Sequence, residues 1–90
     1  MARAEYKVPG GKLLAAESEA KGGKLLSVKL TGDFFMHPEY AIEELEEELK
    51  GIPLAKMGET IQGFFDSSDV QLIGASPSDI THVVKLSLGS

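Results

Sequence analysis

The sequence contains no cysteine. That absence excludes disulfides, thiolate metal sites, a cysteine nucleophile and iron–sulfur ligation as means of reinforcing or activating the chain. No apolar run approaches the ~20 residues of a membrane helix, and Met1-Ala2-Arg3-Ala4-Glu5 is too polar to open a secretory signal. A soluble cytoplasmic protein with no membrane contact is therefore expected. Positive charge is scarce as well. Nine basic residues against fourteen acidic ones leave a net charge of −5. Phosphate backbones are bound by clustered Lys and Arg, so a nucleic-acid partner is not expected either.

What is present is ordinary for a globular protein: 90 residues, 42% hydrophobic and 26% charged. Residues 1–90 form a single domain, whose thin core buries only about 60–65% of the surface its unfolded chain exposes. The charge is unevenly spread. Residues 1–30 carry Arg3, Lys7, Lys12, Lys21, Lys24 and Lys29 against Glu5, Glu17 and Glu19, a balance of +3, while residues 31–90 stand at −8. Such asymmetry suits one face meeting an anionic partner or ligand. Solvated lysines would produce it too.

The first half has the periodicity of β structure. In Lys12–Glu19, Leu14, Ala16 and Ser18 share one face, with Glu17 and Glu19 on the other. Gly22-Gly23 then suits a tight hairpin turn that needs positive φ. From Lys24 to Thr31, Leu26, Val28 and Leu30 alternate with Ser27, Lys29 and Thr31. Glu5–Val8 offers a short third strand, joined through the bend Pro9-Gly10-Gly11.

The second half has the periodicity of helices. His37-Pro38-Glu39 opens the first, with Pro38 at the first helical position and Ile42, Leu45 and Leu49 as its apolar stripe. Lys50-Gly51 and Pro53 end it. Leu54, Met57, Ile61, Phe64 and Phe65 mark a second helix, and Val70–Gly74 is a short extended or connecting segment. Ser76-Pro77-Ser78-Asp79 combines an N-cap, a proline at N1 and an acidic N3, so a last short helix follows with Ile80, Val83 and Val84 inward. The fold class is α+β: a small antiparallel sheet of two or three strands, covered on one face by two or three helices.

Candidate chemistry is sparse. The glutamates Glu39, Glu43, Glu44, Glu46, Glu47 and Glu48 lie opposite the apolar stripe, so they form a solvated helix face rather than a pair of tuned carboxylates. His37 and His82 have no carboxylate at metal-ligand spacing. The first suits a capping or loop position and the second a half-buried site. Gly10-Gly11-Lys12 and Gly22-Gly23-Lys24 precede strands rather than helices, which is not the arrangement of a phosphate loop. No catalytic residue and no metal set is assigned. Gly32-Asp33-Phe34-Phe35-Met36 is the unusual segment, with three large apolar side chains at a strand-to-helix junction. Core closure accounts for one or two of them, and a partner surface for the rest.

Those segments together resemble a known family. Pro9-Gly10-Gly11-Lys12-Leu13-Leu14, the hairpin, and Thr31-Gly32-Asp33-Phe34-Phe35 running into Pro38-Glu39 and Ala41-Ile42-Glu43-Glu44-Leu45-Glu46 resemble the C-terminal accessory domain of lipoate–protein ligases. The Gly-Asp-Phe-Phe block followed by Pro-Glu and a glutamate-rich helix is the most diagnostic part. The likeness covers Lys7–Gly51, with Val70–Val84 similar less specifically. In bipartite, mainly archaeal ligases this domain is a separate small subunit.

The resemblance implies a heterodimer with a catalytic large subunit. That subunit would bind lipoate and ATP with magnesium, form lipoyl-AMP and pass the lipoyl group to a lysine of an acceptor domain. The small subunit would be required for activation while holding no catalytic residue, cofactor or metal of its own. The chain lacks the family's Arg-Arg-x-x-Gly-Gly-Gly lipoate segment, in keeping with that division. The alternative is a free-standing interaction or regulatory module of the same topology. The expected partner interface joins Lys7, Gly10, Gly11, Lys12 and Leu13 to Gly32, Asp33, Phe34, Phe35 and Met36, at the end of the hairpin away from its turn.

Overall fold

The computed structural model describes residues 2–10 and 12–89. Strands β1 (Ala2–Lys7), β2 (Leu13–Lys21) and β3 (Lys24–Gly32) form an antiparallel sheet in that order. β4 (Phe35–His37) leads to helix α1 (Ala41–Leu49). A short 3-10 turn, Leu54–Lys56, then precedes α2 (Met57–Ser67), β5 (Gln71–Ile73) and α3 (Pro77–Ser87). β4 and β5 pair antiparallel as a second, two-stranded ribbon. The expected α+β class is the observed one, and the strand expected over Glu5–Val8 is β1, which runs from Ala2 to Lys7 and leaves Val8 outside.

Local chemistry explains much of this. Gly22 and Gly23 take φ of 61° and 77°, and the two-residue turn they make matches the twist of the strands they join. Leu14, Ala16 and Ser18 of β2 are buried on one face together with Val28 and Leu30 of β3. The alternation breaks near the turn, however. Glu19 pairs with Ser27 but Ala20 pairs with Leu25, so Leu26 is an extra residue in a bulge. Leu25 is therefore buried, and Leu26, expected on the inner face, is 43% exposed.

All the helices lie on the inner face. α3 packs on β1 and β2, α1 on β3, and α2 on both α1 and α3. Leu45, Leu49, Met57, Ile61, Ile80, Val83 and Val84 meet the sheet residues in one core. Ile42 is only half-buried, and Ala41 takes its place at the start of the stripe. α3 begins as expected: the Ser76 side chain accepts the Asp79 N–H, and the Asp79 carboxylate accepts the Ser76 N–H, a capping box with Pro77 at the first turn. Inside, a hydroxyl pair pins α3 to the central strand. Ser87 Oγ donates to the Val84 carbonyl at 2.6 Å, so its bond with Ser18 Oγ takes the Ser18 proton.

α1 starts later than the proline suggests. Pro38 is not at its first position: the His37–Pro38 peptide is cis, and residues 38–40 form a turn in which the Ala41 N–H bonds the Pro38 carbonyl. The residues before it are drawn into β4 instead, because β5 supplies a strand partner.

The glutamate face holds one exception. Glu46 reaches across to the edge of the sheet, where its Oε2 accepts the backbone N–H of Leu30 at 2.8 Å. Further along the same edge, Leu25 exchanges backbone hydrogen bonds with Gly51 and Ile52, and the Leu54 N–H bonds the Gly23 carbonyl. Thus the chain's own groups occupy the edge of β3 near the turn and at Leu30, which hinders pairing with another strand there. Glu46→Ala leaves that part-buried N–H without its partner and is expected to cost about 1–2 kcal/mol in urea unfolding. Charge reversal at Glu44 or Glu47 should change stability by about 0.5 kcal/mol or less, since the exposed Glu47–Lys50 pair is worth little.

Candidate functional site

The segment joining β1 to β2 and the segment joining β3 to β4 meet at one end of the sheet, opposite the Gly22-Gly23 turn. Lys7 pairs with Leu13 across β1 and β2, and Leu14 pairs with Gly32 across β2 and β3. The Val8 N–H donates to the Lys12 carbonyl at 2.7 Å, which closes the connection. Gly10 in that connection has φ of 106°. Gly11 lies outside the described residues.

A glycine allows the second segment to approach this closely. Gly32 has φ of 142°, and a Cβ there would collide with the Leu13 carbonyl oxygen. β3 therefore leaves the sheet at Gly32, and the Asp33 N–H donates to that same carbonyl at 2.8 Å. Gly74, just after β5, supplies the third side of the corner. A Cβ on it would sit 3.4 Å from the Asp33 carbonyl oxygen, 3.5 Å from Phe34 Cα and 3.7 Å from Lys12 Cγ. Of the expected juxtaposition, Leu13 meets Gly32 and Asp33, and Lys12 and Phe34 both approach Gly74.

The aromatic part needs correction. β4 alternates in and out, as any strand must. Phe34 is 6% exposed and Met36 also belongs to the core, so neither is offered to a partner, whereas Phe35 is 66% exposed. Its direct cross-strand partner is Ile73, which is 54% exposed. His37 and Gln71, two pairs further along and also exposed, continue the same face. Sequence reasoning missed Ile73: three residues of strand carry too little alternation to show which side faces out, and only pairing with β4 reveals it. Lys7, Lys12, Leu13 and Asp33 are exposed around the corner.

The remaining candidates lie elsewhere. His82, expected half-buried, is exposed on α3, with its ring against Tyr6 edge-to-face at a centroid distance of 4.5 Å. The cause is helix phase, which turns Val83 and Val84 inward and leaves His82 over the rim of β1. An open groove of about 350 Å³ between α2 and α3 is lined by Gly58, Gln62, Ser78, Thr81, His82 and Lys85. Among the described residues, no three His, Asp or Glu side chains converge. No helix there is long and apolar enough to cross a membrane. The corner and the adjoining ribbon offer an apolar pair, two lysines and one carboxylate.

No family model matches the chain. It is 28% identical over 74 residues to "Lipoate-protein ligase A subunit 2" of Thermoplasma acidophilum, which spans 82% of this chain and 78% of that relative. A solved structure described as an archaeal lipoylation system, a bipartite lipoate protein ligase and its E2 lipoyl domain from the same organism, contains a similar chain. The two superpose with a TM-score of 0.77 at 26% identity, covering 90% of this chain and 94% of the other. The resemblance read from the residues is met by sequence and by fold.

Proposed function

We propose that this chain is the accessory subunit of a two-part lipoate–protein ligase and works as a heterodimer with the catalytic large subunit. One observation carries the reading: similarity to a ligase subunit 2 extends over 82% of the chain and spans most of that relative as well. The agreement of fold along 90% of the chain supports it. Lipoate, ATP and magnesium bind at the large subunit, which forms lipoyl-AMP and delivers the lipoyl group to an acceptor lysine in the cytoplasm. The small subunit contributes contacts and no reacting group. Its corner of Lys7, Lys12, Leu13 and Phe35 offers the kind of surface that such a role needs.

Complex formation tests this reading through stability. A partner that binds only the folded chain stabilises it by about 2.7 kcal/mol at a concentration 100 times Kd. For a domain of this size that corresponds to a rise in Tm of roughly 10–20 °C. Differential scanning calorimetry of the chain, alone and with excess large subunit, should show that rise. An unchanged transition would remove the heterodimer.

A further inference from the structure

We propose that the outward face of the β4–β5 ribbon, centred on Phe35 and Ile73, is the anchor that docks the catalytic subunit. The inference rests on the reading of this chain as an accessory subunit and adds where the contact lies. The segment needs apolar residues only at Phe34, just before β4, and at Met36 within it, which fill the core. Position 35 points away from that core, so a polar residue would satisfy the fold equally well. Instead a phenylalanine stands there opposite an isoleucine, and the two are among the most exposed large apolar side chains of the described residues. A Phe side chain carries about 150–250 Å² of surface, so leaving two-thirds of it in water is costly unless something covers it.

The surroundings favour a different protein over a second copy. The apolar centre is small, and its border is polar: His37 and Gln71 extend the ribbon face, while Lys12 lies beside Gly74, next in the chain to Ile73. A few apolar anchors ringed by polar groups describe a heteromeric contact, whereas the faces of obligate homodimers are more continuously apolar. Another copy would bring only the same small apolar centre against itself.

The experiment measures the affinity of the large subunit for this chain by isothermal titration calorimetry. Variants Phe35→Ser/Ile73→Ser and, as a control, Leu26→Ser are compared. The double variant should raise Kd about 100-fold or more, as loss of two central anchors does. Leu26 is also an exposed leucine, at the opposite end of the hairpin, and its variant should stay within about twofold. Thermal unfolding of each isolated variant checks that it is folded. If the double variant melts early, Phe35→Lys and Ile73→Lys, made singly, carry the test. Equal affinity of folded double variant and wild type overturns the anchor while the accessory-subunit reading stands. Failure of the wild-type chain to bind at all overturns that reading instead. Size-exclusion chromatography adds the last outcome: a wild-type dimer that the double variant dissociates, with large-subunit binding intact, would assign the patch to a second copy and overturn the proposal.

Discussion

Phe34→Ala should lower the unfolding free energy of the isolated chain by about 3–5 kcal/mol, the usual cost of emptying a buried aromatic site. The same substitution one residue later, Phe35→Ala, should change it by about 0.5 kcal/mol or less. The contrast arises because Phe34 packs among core residues at 6% exposure while Phe35 stands at 66%. Total stability for a domain of this length is about 5–13 kcal/mol, so the Phe34 variant loses a large share of it. Urea unfolding of both variants gives the answer directly. Phe34→Ala should shift the midpoint far below that of the wild type, with Phe35→Ala superimposed on it. In a binding assay the order reverses: Phe35→Ala weakens the complex without unfolding the subunit. A large loss at Phe35 with little change at Phe34 would mean that the segment faces the other way.

This pair also shows where sequence reasoning reaches its limit. Gly22-Gly23 and the Ser76–Asp79 capping box are local signals, complete within a few residues, and both are found where expected. The core stripe of α2 follows from spacing alone, since Met57, Ile61 and Phe64 recur at helical period. The Gly32-Asp33-Phe34-Phe35 block stands out as a junction, but which phenylalanine turns inward depends on pairing with β5. The two strands have three residues each and their paired residues are more than thirty apart in sequence, so no local pattern encodes it.

Two other departures have the same origin. Leu25 and Leu26 are identical in chemistry, so nothing in composition tells which one the bulge places inside. Glu46 looks like its neighbouring glutamates, and its partner is a backbone N–H sixteen positions away on β3. The corner was half legible. Lys7, Lys12 and Leu13 come together with Gly32 and Asp33 because antiparallel pairing away from a known turn dictates it. Ile73 enters only through tertiary structure.

The largest functional effect should appear in the activation step. In the proposed accessory role the chain acts by ordering its partner. Placing reactants in the correct geometry is worth 100-fold or more for displacements of about 1 Å, and closing segments over a site adds exclusion of water. Leaving out the small subunit should therefore slow activation by about 100-fold or more without changing the identity of the product. The dependence should saturate at one small subunit per catalytic subunit, because a positioning partner acts by stoichiometric binding. Phe35→Ser/Ile73→Ser should need more protein to reach the same plateau.

The most direct measurement is lipoyl-AMP formation from lipoate and ATP with magnesium by the large subunit, with and without this chain. The expected result is a rate near background for the large subunit alone, rising to a plateau as the chain is added to equimolar amounts. Equal rates in its presence and absence would contradict the accessory role.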